Sequence, residues 1–444
     1  MPWTVFDELA TIEGDEEAAS WMERLFTLNE DIVAFVSDRV QGRPAGRFAG
    51  YRQGSFNFSV RVQFGDGGSD VIIRFPKPGR TATCLRDEKV ENEVRILQYL
   101  HQTTTIPIPC VISWGLTKDC PLELGPFIIM DYIDGEILAT ILKGPKSNWT
   151  DHAILDPDID DAKLNHIYTQ LAGYMVQLSK PNFSSIGALS GDPSSNTWSV
   201  TKRPLTYNSN ELMTVVKGLP PGVLPTMPFT STGDYFHHTW KEHYAHLCTQ
   251  RNIADDAEEA EKRFIAHHQL RKLIPQYCID NDGPFKIYCD DLQPANIIVD
   301  PKTLQIKSFL DWEFTNIMPA QFTYDPPWWL LLLGPDMWLN DGKEKEFMAC
   351  FEPRLEQFLQ ALERVPSGPA LAARMRESWR TKQFWFDYGM RKSFDLDSVY
   401  WFALRKDSGV QLDDETLVEK QSFVQVKMEQ LAAYNMEISA LPTP

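Results

Sequence analysis

The chain has 444 residues, of which 43% are hydrophobic and 23% charged, and a formal net charge of −18. That length and composition suit one large domain or two lobes of a globular protein, and an acidity unbroken by any Lys/Arg-rich stripe argues against nucleic acid or an anionic membrane as partner. Seven scattered cysteines show neither zinc spacing nor a secreted disulfide framework, so reduced thiols and a cytoplasmic location are expected.

In chain order, residues 16–26 and 29–40 carry helical patterns, the second with Asn29 as its expected cap, and the Gly/Pro turn at 42–46 closes them. The pattern then becomes β, over 54–64 and 71–75, with a Gly-rich turn between and Pro76 and Pro78 after. The dipeptide Gly54-Ser55 lets backbone N–H groups approach a phosphate, although most such glycines only turn the chain. Arg74 is either a phosphate contact or an exposed cation on a strand face, with Lys77 as the alternative cation. A helix is predicted over 84–100, with Val90, Val94, Ile96, Leu97 and Leu100 as its apolar face. A Pro-stiffened stretch at 105–115 and an apolar strand ending at Met130 lead into a polar turn at 131–135.

Residues 144–161 read as a loop and 166–178 as an amphipathic helix. The Ser/Pro/Thr/Gly-rich stretch 190–232 reads as an irregular excursion over the mouth of a site. A helix starting near 234 carries His237, His238 and His243 among aromatic residues; a packing face with partly exposed histidines explains it better than zinc. Another helix spans 256–273. The run 328–333, the longest apolar stretch, is stopped by Gly334-Pro335 well short of a membrane span, and the N-terminus lacks the basic and apolar regions of a signal peptide. Beyond it, helices are predicted at 343–364, 371–388, 396–405 and 417–432, with a loop at 407–413 and a tail at 441–444. This last third shows no repeat and no catalytic motif, and nothing in the chain indicates an oligomeric state.

The informative stretch lies between. Residues 287–300 read Ile-Tyr-Cys-Asp-Asp-Leu-Gln-Pro-Ala-Asn-Ile-Ile-Val-Asp, and 306–313 read Ile-Lys-Ser-Phe-Leu-Asp-Trp-Glu. Each half is an apolar strand that delivers a carboxylate at one end, so Asp291, Asn296 and Asp311 are expected to converge. An oxygen-ligand pair for a hard divalent cation, plus a carboxylate free to meet a hydroxyl, is the minimum set for phosphoryl transfer. In this order the residues resemble the aminoglycoside phosphotransferase and choline kinase-like enzymes, in particular their fungal-type members. That family usually writes its loop His-Gly-Asp-Leu-x-x-x-Asn, so Cys289 and Asp290 are departures. Cys289 reads as a buried small hydrophobe rather than a nucleophile. Asp290 adds negative charge beside Asp291 and so favours an ammonium-bearing acceptor.

The resemblance implies an α+β, bilobal, protein-kinase-like fold. A small β-rich lobe with a helical N-terminal extension would occupy 1–130. A large helical lobe would occupy 131–444, with the catalytic loop at 288–300, the metal segment at 308–314 and a substrate-covering insertion at about 190–245. It implies that ATP and Mg²⁺ are the cofactors. Gly54 and Ser55 would cover the phosphates, Arg74 would contact them while held by Glu93, and Asn296 and Asp311 would ligate the metal. Asp291 would orient the acceptor hydroxyl. Adenine would bond to the main chain at Asp131 to Ile133, with Met130 and Ile133 as apolar walls. The expected activity is transfer of a phosphoryl group to a hydroxyl of a small metabolite, with neither nucleic acid nor membrane as partner. The alternative is a catalytically impaired nucleotide-binding or scaffolding protein, to which Cys289, Asp290 and Arg74 lend weight; nucleotidyl transfer is a third reading.

Overall fold

The computed structural model describes residues 4–144, 153–195, 197–406 and 411–441. Two lobes meet along a cleft, as the fold class read from the motif requires. In the first, helices α1 (Glu8–Thr27) and α2 (Asn29–Arg39) precede strands β1 (Arg47–Gln53), β2 (Asn57–Gln63) and β3 (Val71–Pro76), then helix α3 (Arg86–Thr103) and strands β4 (Val111–Gly115) and β5 (Phe127–Asp131). The five strands form one antiparallel sheet in the order β1-β2-β3-β5-β4. Alternation works as expected on β2 and β3. Phe58, Val60, Val62, Val71, Ile73 and Phe75 point to one face and bury Trp21, Leu25, Ile32 and Val36 of α1 and α2 against it. Asn29 does not cap α2. Leu28 stands at that position, while the Asn29 amide donates to the Phe26 carbonyl (3.0 Å) and so closes the preceding helix.

α3 packs in two directions. Val90 and Val94 press on Ile128 and Met130 of the sheet, whereas Ile96, Leu97 and Leu100 enter the core of the second lobe. Glu88 pairs with Arg203 (2.6 Å) and Glu91 with Lys202 (2.7 Å), which ties the helix to the insertion that follows.

The second lobe begins with β6 (Glu136–Ile137) and α4 (Leu138–Leu142), followed by α5 (Asp161–Ser179). The loop expected over 144–161 lies partly outside the described residues, as do much of the one at 407–413 and the tail past 441. The stretch read as irregular excursion holds a hairpin, β7 (Ala188–Asp192) with β8 (Thr197–Lys202), and a helix, α6 (Tyr207–Val215). Thr206 caps α6 by accepting from the Ser209 N–H at 3.0 Å. Short period and polar composition hid both elements from the sequence reading. Helices α7 (Thr232–Thr249) and α8 (Ala257–Tyr277) lead to β9 (Lys286–Cys289), β10 (Ile297–Val299), β11 (Ile306–Phe309) and β12 (Thr315–Met318). β10 pairs with β11 and β6, and β9 pairs with β12.

Six helices follow: α9 (Ala320–Thr323), α10 (Pro335–Asn340), α11 (Glu344–Glu363), α12 (Gly368–Thr381), α13 (Gln383–Arg391) and α14 (Leu396–Val399). The helix predicted over 371–388 is two, broken where Lys382 takes a left-handed φ of 66°. α15 (Asp414–Ser439) lies across α8. Of the α7 histidines, His237 is exposed and His238 half-buried, as expected, whereas His243 and His246 are buried, and burial holds both imidazoles down at about 3. No helix among the described residues is long and apolar enough to cross a membrane.

Candidate active site

Antiparallel pairing of β10 with β11 sets Ile297 opposite Phe309, and the Asn296 carbonyl accepts from the Leu310 N–H at 2.7 Å. The loop before β10 and the segment after β11 are thereby held side by side. Asp291 accepts from Asn296 Nδ2 at 2.7 Å and also from Gln293 Nε2. An amide that donates through nitrogen keeps its oxygen for a cation. Burial is the main cause that raises the Asp291 carboxyl to about 6.

Asp311 sits where the chain turns off β11 with φ +60°, a left-handed conformation rarely adopted by a non-glycine residue, and Phe314 follows at +59°. The turn brings Asp311 and Glu313 beneath the first lobe. There Glu93 of α3, Asp311 and Glu313 offer carboxylate oxygens all within 4.8 Å of one another. Two cations are threaded among them. Arg74 of β3 pairs with Glu93 and lies 3.1 Å from Asp311, and Lys89 pairs with Glu313. Asn57, the first residue of β2, donates to Glu313 (2.7 Å) and Asp311 (3.4 Å) and accepts from Lys89 (3.0 Å). Three carboxylates against two cations leave one negative charge in excess. Burial and the neighbouring Glu313 push the Asp311 carboxyl well above its usual range, while Glu313 Oε1 is buried with no hydrogen-bond partner. A divalent cation answers both deficits, so the residues present fit a metal.

The Gly54–Ser55 turn lies at the tip of β1 and β2. Lys77 is not a spare phosphate cation; its ammonium donates to the Gly54 carbonyl at 2.7 Å and holds the turn. Phe56 packs edge-on against Tyr207 of α6 and Phe314. A cavity of about 810 Å³ opens beside this turn, lined among others by Gly54, Ser55, Lys77 and Glu211. A second, of about 430 Å³, runs along the loop before β10 at Gln293, Pro294 and Ala295 and is walled by Tyr207, Trp328 and Lys392.

At the lobe connector Met130 is buried against Val90 and Val94 of α3, so its side chain is core and not a wall of the cleft. The Asp131 N–H is bonded to the Cys110 carbonyl (3.2 Å) and the Tyr132 N–H to the Asp70 carbonyl (3.0 Å), so these two donors are already used within the protein. Cys289 is buried among apolar side chains, and burial raises its thiol far above the usual range, as in a structural cysteine. Asp290 is not an unpaired charge facing an acceptor. Its carboxylate faces Arg391 at 3.8 Å, so it gives no reason to expect an ammonium there. Asp325 accepts from Ser378 (2.6 Å) and pairs with Arg391 (2.9 Å), which anchors the turn after α9.

Sequence reasoning missed Lys89, Glu313 and Asn57. The signal for Lys89 was present: it stands four residues before Glu93 and therefore on the same helix face. Asn57 opens a strand with a residue that strands disfavour, which is the mark of a side chain kept for another purpose.

No family model matches the chain. In sequence it is 20% identical over 330 residues to a protein of Debaryomyces hansenii named "Altered inheritance of mitochondria protein 9, mitochondrial", with 66% of this chain and 51% of that protein covered. It is 24% identical over 289 residues to the clavilactone A biosynthesis cluster protein Y of Ampulloclitocybe clavipes, with 62% of each covered. The chain thus spans between about half and three-fifths of the length of these curated relatives. Among solved structures it overlays on a putative aminoglycoside phosphotransferase from Ralstonia eutropha at 15% identity, covering 91% of this chain and 98% of that one with a TM-score of 0.43. Plasmodium vivax ethanolamine kinase overlays at 14% identity, 92% and 85% coverage and a TM-score of 0.40. The likeness is distant, and at these scores it adds nothing to the functional reading.

Proposed function

We propose that the chain is an ATP-dependent phosphotransferase that uses Mg²⁺ and a hydroxyl of a small metabolite as acceptor. The observation that carries this reading is the gathering of Asp311, Glu313 and Glu93 around two buried cations, one turn away from Asp291 and Asn296. Bound Mg²⁺ would neutralise charge on the transferred phosphoryl group. Asp311 and the Asn296 amide oxygen would hold it. Arg74, positioned by Glu93, would meet the phosphates, and Lys89 would keep Glu313 in place. Gly54 and Ser55 would present backbone N–H groups from above, and the adenine would bond to the main chain at Ile133.

Asp291 would accept a hydrogen bond from the acceptor hydroxyl and take its proton late, since a carboxylate is too weak a base to remove it beforehand. The acceptor would lie in the 430 Å³ cleft beside Gln293, Pro294 and Ala295. Any preference for an amine-bearing acceptor would arise there, from Asp336 beside Lys392 (3.7 Å), and not from Asp290. Residues 1–130 and 131–444 would act as the two lobes that close on the nucleotide.

Incubation with labelled ATP, Mg²⁺ and a metabolite extract tests the proposal. Wild type should label a small molecule, and Asp291→Asn should lower the rate by about a hundredfold or more. Mg²⁺-dependent thermal stabilisation by ATP without any labelled product would instead favour a nucleotide-binding protein that has lost catalysis. Absence of both would end the reading.

A further inference from the structure

Arg391, the last residue of α13, comes from the third of the chain that carries no motif, yet it reaches the catalytic loop. Its guanidinium is almost entirely buried. One nitrogen lies 2.9 Å from Asp325 Oδ2 and another 3.8 Å from Asp290 Oδ1. Its Cζ lies 4.9 Å from the centre of the Tyr288 ring and 4.8 Å from that of Phe322. Tyr288 belongs to β9, the strand that feeds the loop, and Asp290 is the residue immediately before Asp291. The far side of this assembly is rigid: Asp325 also accepts from Ser378 Oγ at 2.6 Å, on α12. The Asp290 carbonyl is held too, by Trp328 Nε1 at 3.3 Å. Both ends of Asp290, charge and carbonyl, are thus fastened to the helical lobe.

We infer that Arg391 is a positioning residue that seats the catalytic loop through Asp290, with Asp325 fixing the guanidinium in turn. The physical reason is economy of charge in a buried place. Asp290 and Asp291 are adjacent carboxylates at the end of an apolar strand, and two such groups cannot both stay ionised without compensation. Arg391, shared between Asp325 and Asp290, compensates the first in part, and the second is left to its amide donors. A planar guanidinium both pairs and stacks, so it fixes direction as well as charge, which a lysine ammonium does not. The aspartate in front of Asp291 is on this account part of the apparatus and not a sign of its decay.

This inference rests on Asp291 acting in phosphoryl transfer, but the tether can be read without turnover. The variant Asp290→Asn keeps shape and removes the charge; Arg391→Met removes the guanidinium, and Arg391→Lys keeps its charge alone. Hydrogen exchange on the full chain should show residues 287–296 exchanging about tenfold faster in Asp290→Asn, with the five-stranded sheet unchanged. In the labelled-ATP assay the same variant should lose about tenfold or more in kcat with KM for ATP within about twofold, as expected for a misplaced catalytic group. Arg391→Lys should recover only part of the kcat that Arg391→Met loses. Unchanged loop exchange in Asp290→Asn overturns the inference, as does undiminished kcat. A wild-type chain that transfers nothing overturns the kinase reading, while the exchange result still decides the tether.

Discussion

At the scale of single residues, Asp311 is held in a costly setting. It is held at φ +60°, against Glu313 and Glu93, with its carboxyl pushed well above the ordinary range. Replacing it with Asn removes a like charge from a crowded acidic site. Asp311→Asn should therefore leave the ligand-free protein as stable as wild type or up to about 1 kcal/mol more so, while abolishing Mg²⁺-dependent stabilisation by ATP. Thermal melts with and without nucleotide check both halves. Lys89 predicts the opposite. Its removal strands Glu313 in a dry interior, and Lys89→Met should cost about 3 kcal/mol or more in urea unfolding, as broken buried pairs do.

Glu211 offers a pH test away from the metal cluster. Burial, with the nearby Asp395 carboxylate, raises its carboxyl from 4.5 to about 8. The folded protein therefore holds a proton there that the unfolded chain releases. Stability from this group is present below the unfolded value and falls as pH rises through the window from about 5 to 8. Glu211→Gln should flatten that slope relative to wild type in denaturant titrations at pH 5.5 and 8. A slope that steepens would contradict the assignment.

At the scale of elements, the α7–α8 interface reverses that sign. His243 and His246 are neutral when folded, at about 3, against 6.5 in the open chain. The unfolded chain binds the protons, so this contribution is full above about pH 6.5 and is lost on acidification. His243→Leu should reduce the difference in unfolding free energy between pH 7 and pH 5. α3 is the element on which the candidate site depends most. Its apolar face was legible from Val90, Val94 and Leu97, because helical spacing declares a buried stripe. The pair of Glu93 with Arg74, which the family resemblance implied, forms; that the same helix carries Lys89 to Glu313 was not legible, since Glu313 lies far away in sequence. The hairpin β7–β8 and helix α6 escaped notice for another reason. Their strands and helix are short, with few apolar residues, and their support comes from pairs such as Glu88–Arg203 and Glu91–Lys202 that only the fold brings together.

At the scale of the molecule, α1 and the residues before it join the lobes. Trp21 Nε1 donates to the Leu124 carbonyl (2.9 Å) in the first lobe. Before the helix, Thr4 donates to Asp395 (2.6 Å), and Gln250 and Asn252 donate to the carbonyls of Val5 and Phe6 (both 2.9 Å) in the second. The helix can lie so close because Gly14 meets Gly79 backbone to backbone; a Cβ on Gly79 would come within 2.0 Å of the Gly14 carbonyl oxygen, and Gly79 has φ +73°. Gly79→Ala should lift α1, at a cost of about 1–3 kcal/mol, and raise hydrogen exchange over residues 4–27. Unaltered exchange there would mean that the glycine contact does not hold the helix.

Local signals in the sequence sufficed for the loop and strand that carry Asp291, Asn296 and Asp311, and the order of those residues carried the family resemblance that implied the two-lobed architecture. Those residues lie within one short span, where alternation, turn chemistry and residue order act over a few positions. The partners of the carboxylates were decided by tertiary structure: Lys89 for Glu313, Asn57 for both Asp311 and Glu313, and Arg391 for Asp290. So was the burial of Met130 against α3. Charge pairing in a dry interior depends on distance through space, and here that distance is closed by segments separated by a hundred residues or more, which no local pattern encodes.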